Sequence, residues 1–388
     1  MTAASKAPLA EAPADLVDIA DARDEDEAAE QLHKWGWTDG LPVVVPTPER
    51  VERMLACATR GPDAKLGPIA PRGAELTLRG LAANAVMAGC LPEYMPVLEA
   101  AIVAMQQPDF NLYGMQMTTH PCALMVTVQG PVAGELGIAS GAGCMGAGFR
   151  ANGTIGRAVR LVAMNIGGAR PGEGEVAGDI DRATQGTPAK WSFCFAENQG
   201  DNPWPSFGTD LGFQPTDNLV TVAAVEGPHN INDHQSTTAE NLLKTIAATM
   251  STPGANTAYR GGDQYLVLGP EHAKVLSDDG LSRRDVQEYL HANARVDATR
   301  VGAEKLEEAS LWGGYRLRLE EWGHRVPISR APEDIRIIVA GGTGKHSAWM
   351  PTFGATWSQT VRLPRSAGDE FEVAPLNETA SWPNDLES

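Results

Sequence analysis

Positive charge is scarce in this 388-residue chain. Its 31 Lys and Arg stand against 49 Asp and Glu, a formal net charge of −18. A protein that neutralises phosphates along a nucleic acid needs the opposite balance, so nucleic acid and anionic membrane surfaces are not expected partners. Long apolar runs are missing as well: no stretch reaches the roughly 18 residues that would span a bilayer. The start, MTAASKAPLAEAPADLVDIADARDEDEAAE, is acidic and alanine-rich, without the basic and apolar regions of a signal peptide. The chain reads as cytoplasmic. Cysteine is sparse and unpaired in pattern: Cys57, Cys90, Cys122, Cys144 and Cys194 are odd in number and contain no CxxC, which argues against a disulfide framework. No repeat of 20 to 50 residues is visible, so solenoids and propellers are poor candidates.

Glycine is abundant, with 41 Gly beside 27 Pro, yet the two together stay below the roughly 25–30% that marks a low-complexity chain. Residues 1–20 read as a disordered tail and 366–388 as a disordered acidic tail. Between them the pattern suggests an N-terminal α/β region, 21–215, and a C-terminal α/β region, 216–365. Helices are expected over 25–35, from Pro48 behind a Thr47 cap and reaching Cys57, over 76–88, and from Pro92 to Met105. Further helices are expected from Thr154 to Asn165, behind Ser236 or Thr237, and over 272–276 and 284–292. Strands are expected over 41–45, 112–119, 122–128, 191–195, 219–225, 265–268 and 335–340. The sum is an α/β or α+β fold, a mixed sheet with flanking helices and Gly-rich loops.

Two glycine loops draw attention. Gly141-Ala142-Gly143-Cys144-Met145-Gly146 matches GxGxxG, but a dinucleotide site needs a helix directly after it and an acidic residue ending a following strand. Here the loop GGARPGEGEVAGD follows the next helix. The same loop can still aim backbone N–H groups at an anion, with Arg150, Asn152 and Thr154 beside it. The second loop, 341–347, ends in Lys345, His346 and Ser347. It departs from a phosphate loop, which would need glycine at Val339 and Ser or Thr at His346. Both loops are candidate binding elements for an anionic substrate, and tight backbone packing is the competing reading.

Cys90 lies between Gly89 and a helix starting at Pro92, where a helix dipole would favour a thiolate; Glu93 is a candidate proton carrier. Cys144 is a second candidate nucleophile. His120, between two strands, is the candidate general base, and Glu197 stands at a strand end. His229, Asp233 and His234, in HNINDH, are candidate ligands for a divalent metal, the one cofactor these residues suggest. Trp35, Trp37, Trp191, Trp204 and Trp349 are candidate interface or lid anchors, against the commoner fate of core aromatics.

Four segments carry a family likeness: DGLPVVVPT (Asp39 to Thr47), NAVMAGCLPEYMPV (Asn84 to Val97), RANGTIGRAVRLVAMNIGG (Arg150 to Gly168) and VAGGTGKHSAWMPTFG (Val339 to Gly354). Through them most of the folded part resembles an uncharacterised bacterial family associated with proteins that carry a UGSC-type selenocysteine or cysteine motif. Members are sometimes labelled thiol-disulfide proteins, a label that the absence of CxxC here does not support. The resemblance implies a shared fold and carries over no catalytic residue.

The chemistry of the residues therefore leads to a cysteine-dependent lyase or hydrolase acting on a small anionic metabolite. In that reading Cys90 is nucleophile or acid/base, with His120 as its proton partner. One rival is a metal-dependent hydrolase or lyase using His229 and His234. Another is a non-catalytic binding protein or partner subunit, in which the glycine loops only pack; a homo-oligomer is also compatible. The first reading requires Cys90, His120 and both glycine loops around one pocket.

Overall fold

The computed structural model describes residues 24–172, 180–310, 319–365 and 369–376. In chain order the first half contains helices α1 (Glu25–Lys34), α2 (Pro48–Leu55), α3 (Leu78–Ala88), α4 (Met95–Met105), α5 (Leu112–Met117), α6 (Pro131–Glu135) and α7 (Arg150–Asn165). The second half contains α8 (Ala239–Met250), α9 (Thr257–Arg260), α10 (Pro270–Asp278), α11 (Arg283–Asn293) and α12 (Ala303–Ser310). The strands are β1 (Lys65–Ile69), β2 (Ala74–Thr77), β3 (Ala123–Gln129), β4 (Cys194–Ala196), β5 (Leu219–Val225), β6 (His229–Asn232) and β7 (Gln264–Leu268). They continue with β8 (Arg295–Asp297), β9 (Arg325–Pro327), β10 (Ile335–Val339), β11 (His346–Met350), β12 (Gln359–Arg362) and β13 (Glu372–Val373).

The fold is α/β, built on two mixed sheets. One has five strands in the order β13-β12-β5-β3-β4, and the other has four in the order β10-β7-β11-β6. β3 runs parallel to β4 and antiparallel to β5, while β10 runs parallel to β7. Side chains alternate faces along a strand, and that period sorts the buried residues into layers. Leu124, Val126 and Val128 of β3 face a core with α3, α4 and α7, whereas Met125 faces the other way. In the same manner Leu266 and Leu268 of β7 face α8, α10 and α11, while Tyr265 and Val267 face back. The inward set, Met125, Phe195, Ala223, Val225, Tyr265, Val267, Ile338 and Met350, forms one cluster between the sheets. Helices thus cover the outer faces of two stacked sheets. Strands buried on both faces read as continuous apolar runs, which is why β3, β5 and β10 stand out in the sequence.

Local signals hold at several elements. Thr47 accepts from the Arg50 amide at the start of α2, with Pro48 in the first turn. α3 ends at Gly89, whose φ of 87° is the left-handed cap that glycine takes without strain. Other expectations are corrected. Residues 112–119 form no strand: Asn111 Oδ1 accepts from the Gly114 amide and starts α5 instead. Residues 41–45 have no regular structure, Cys57 lies beyond the end of α2, and α7 begins at Arg150 rather than Thr154. Strand β6 lies in the polar segment after β5, and the 341–347 loop opens into strand β11.

A boundary at 215/216 is also corrected, because β5 and β12 sit in the same sheet as β3 and β4. Residues 1–20, 366–368 and 377–388 of the expected tails lie outside the described residues. Within the second tail, however, Glu372 and Val373 pair with Arg362 and Val361, so the sheet continues there. Among the described residues no helix is long and apolar enough to cross a membrane.

Candidate functional site

Two regions gather the residues singled out by sequence, and they lie at opposite ends of the strands. The first is built on the start of α7. Asn152 is buried and holds the glycine loop on both sides: its Oδ1 accepts from the Ala139 amide at 2.8 Å, and its Nδ2 donates to Ala139 O and Cys144 O at 3.0 Å each. The loop in turn meets the 341–347 turn, since the Gly341 amide donates to Ser140 O at 2.8 Å. A Cβ at Gly342 would come within 2.6 Å of Ala142 Cβ, so glycine is needed for this close approach. The turn is anchored elsewhere too. Asn198 Nδ2 donates to Gly341 O, the Gly344 amide donates to Glu271, and Lys345 Nζ donates to Ser236 O.

The substrate-binding roles expected here do not follow from these contacts. Arg150 donates twice to Gly89 O, at 3.0 and 3.2 Å, and so caps α3. Thr154 Oγ1 donates to Arg150 O within the first turn of α7. Ser347 Oγ is buried between the Gly269 amide and His272 Nδ1, 2.8 Å away. Glu197 is buried, and burial raises its carboxyl although it accepts from the Phe207 amide and from Asn202. It organises the turn at 202–207.

Four of the five thiols are buried. Burial pushes Cys90 up to about 12, outweighing the opposing pull of its bond to Thr154 O and of Arg150 and Arg157. Cys144 is buried between the sheets, and burial raises it despite nearby amides of Met145 and Gly341. Cys122 and Cys194 are buried, as the strand pattern predicts, and Cys57 is exposed. Glu93 is exposed beside Cys90. The helix start expected to favour a Cys90 thiolate is present, a 3-10 turn at Pro92–Tyr94 that leads directly into α4, but it does not offset the loss of hydration. Burial dominates.

The second region is centred on His120. Its Nε2 lies 2.8 Å from Glu226 Oε1, and its Nδ1 is buried with no partner among the described residues. Glu226 follows the last residue of β5 and His120 precedes β3, two strands paired so that Ala123 faces Val225. The chain leaving β11 crosses the same spot, with a bridge between Val225 and Thr352. It carries Phe353, whose ring is 5.8 Å from the imidazole on one side and 5.4 Å from the Arg260 guanidinium on another. A cavity of about 230 Å³ opens here, lined by Thr118, Thr119, His120, Asn256, Tyr259, Arg260, Lys305, Glu308 and Ala309. Lys305 Nζ sits 4.8 Å from the Tyr259 ring and 3.1 Å from Glu308. Burial lowers the Arg260 guanidinium, partly offset by Glu308.

His120 is therefore not the partner of Cys90. Its cavity contains neither Cys90, Cys144 nor the 341–347 turn. The seven residues of β3 separate the two ends by about 20 Å at ~3.3 Å per residue. The metal-ligand set is corrected as well. Asp233 turns its carboxylate to Ser236 and Thr245, His234 meets His346 rather than His229, and no cluster of three potential ligands exists among the described residues. Of the tryptophans, Trp349 is core and bonds Gln264 Oε1, Trp37 packs on the core, and Trp204 Nε1 donates to Leu281 O. Trp35 is partly exposed and Trp191 is half exposed.

Two other cavities are larger. One, of about 390 Å³, contains Arg160 and Lys190, both ion-paired with the buried Asp181. The other, of about 850 Å³, is lined by Lys244, Arg295, Arg300 and Arg325 among others. Neither contains an imidazole. Comparison with protein-family models finds no match to this chain, and comparison with curated protein sequences finds none either.

Proposed function

We propose that the chain is an acid–base enzyme, a lyase or hydrolase, that acts on a small carboxylate-bearing metabolite in the His120 cavity. The observation that carries this reading is the 2.8 Å contact of His120 Nε2 with Glu226, which leaves Nδ1 without a partner on a ring that lines the same cavity as Arg260 and the Lys305–Glu308 ion pair. Glu226 accepts the Nε2 proton, so Nδ1 is the basic atom. Nδ1 is buried in the resting structure, so the ring turns toward the cavity before Nδ1 takes a proton from substrate carbon or from water; the imidazolium that forms is stabilised by Glu226. Arg260 supplies positive charge for a carboxylate, Lys305 joins it by exchanging its Glu308 partner for the substrate, and Asn256 adds a neutral polar contact. The volume, below the ~300 Å³ at which drug-sized pockets begin, suits a small metabolite. Thiol chemistry at Cys90 has less support, because a thiol held near 12 is protonated at neutral pH.

Titration of ¹⁵N-histidine-labelled protein with small mono- and dicarboxylates tests the binding half of this reading. Saturable shifts at the His120 ring are expected. Replacing Lys305 by Gln removes one charge-assisted contact and weakens binding by roughly 10-fold or more. Binding that leaves the His120 resonances unmoved would contradict it.

A further inference from the structure

We propose that His234 and His346 form a binding site for one divalent transition-metal ion of the zinc, nickel or copper(II) type, separate from the His120 cavity. β6 and β11 pair antiparallel with His346 opposite Asn232, and the chain turns immediately after β6. The turn is set by Asp233, whose carboxylate accepts from the Gln235 and Ser236 amides, Ser236 Oγ and Thr245 Oγ1. That places His234 over the edge of β11. The two Nε2 atoms stand 3.1 Å apart, with the rings at 79°.

This spacing is what one metal ion requires. Two nitrogen donors at 2.0–2.1 Å from a shared ion and about 3.1 Å apart subtend roughly 98°, between square-planar and tetrahedral angles. One ligand is already oriented. His346 Nδ1 faces Asn230 Oδ1 at 2.9 Å, which puts its proton on Nδ1 and leaves Nε2 as the unprotonated nitrogen on the side of His234. Metal-bound histidines are held in this way by an acceptor on the other ring nitrogen. In the absence of metal, His234 Nε2–H donates to His346 Nε2; on binding, His234 carries its proton on Nδ1 instead. Both side chains are exposed, so an ion reaches them from solvent. Among the described residues no third His, Cys, Asp or Glu completes a cluster, so water fills the remaining positions and the ion exchanges. Two imidazoles and no carboxylate select against calcium and magnesium.

Isothermal titration of untagged full-length protein with zinc chloride, paired with copper(II) EPR, tests the site. One saturable ion per chain is expected, with the EPR signature of two coordinated imidazoles. His234→Ala and His346→Ala each lose the binding. Asn230→Ala weakens it about 10-fold, as loss of an orienting partner does. His229→Ala leaves it unchanged. Circular dichroism melts confirm that these surface variants fold. The site is disproved by wild-type protein with no saturable binding below about 1 mM, by a His346→Ala variant that binds like wild type, or by equal loss in His229→Ala.

Discussion

His120 Nε2 and Glu226 Oε1 are 2.8 Å apart although 106 residues separate them in sequence. The pairing of β3 with β5 brings them together, because the residue after one strand and the turn before the other share one end of the ladder. Glu226 is fixed in turn by its amide, which donates to Pro351 O at 2.8 Å. The dyad is thus held by backbone from three strands rather than by a flexible loop.

Removing the orienting carboxylate should impair catalysis more than binding. Glu226→Ala is expected to lower kcat by about 10²-fold, the lower end of what a positioned acid or base contributes, with KM little changed. Steady-state kinetics measure the split. A ¹⁵N spectrum should show the His120 ring losing its single tautomer.

Thiol labelling separates this account from a cysteine nucleophile. Cys57 is exposed, whereas Cys90, Cys122, Cys144 and Cys194 are buried. In native protein at pH 8 one thiol should react rapidly with an aromatic disulfide reagent, and all five should react in denaturant. Rapid native labelling of Cys90 would mean that its burial is not maintained in solution.

Acid stability should depend on Asp181. Burial pushes its carboxyl up, but Arg160 at 2.8 Å and Lys190 at 2.7 Å outweigh that and hold it below the usual range. Its folded value lies under the unfolded ~3.9, so the stabilisation is complete above that pH and is lost as pH falls through the folded value. Asp181→Asn leaves two buried cations uncompensated and should cost about 3 kcal/mol at pH 7. The difference from wild type in urea unfolding should shrink below about pH 4.

The packed glycine loops make a structural prediction. Asn152→Ala orphans Ala139 N and Cys144 O and leaves Ala139 O with only the Ala196 amide, and should cost about 3 kcal/mol. Gly342→Ala forces a Cβ against Ala142 and should cost about 1–3 kcal/mol. If 341–347 were an open substrate loop, Gly342→Ala would leave stability unchanged; thermal melts distinguish the two.

Sequence periodicity revealed the elements whose signals are local. Thr47-Pro48 marked α2, and the runs in β3, β5 and β10 marked strands buried on both faces. It failed where a single side chain or a distant partner decides. Asn111 turns an apolar run into α5 through its own Oδ1, and β13 exists because β12 offers it an edge. The site divides in the same way. His120 is visible between two apolar runs, whereas no local pattern singles out Glu226, the residue after the apolar run of β5. Arg260 and Lys305 have no local motif; the packing of α9 and α12 brings them to the cavity that His120 lines. Cys90 and Arg150 carried a suggestive pattern that packing explains, one bonding Thr154 O and the other Gly89 O.

The most direct measurement is turnover of a pool of small carboxylates, followed by mass spectrometry, with wild type, His120→Asn, Cys90→Ser and Cys144→Ser compared at equal folded concentration. Wild type and both cysteine variants should consume the same compound at similar rates, while His120→Asn is slower by about 10²–10⁴-fold. Full activity in His120→Asn, or its loss in Cys90→Ser alone, would contradict the account.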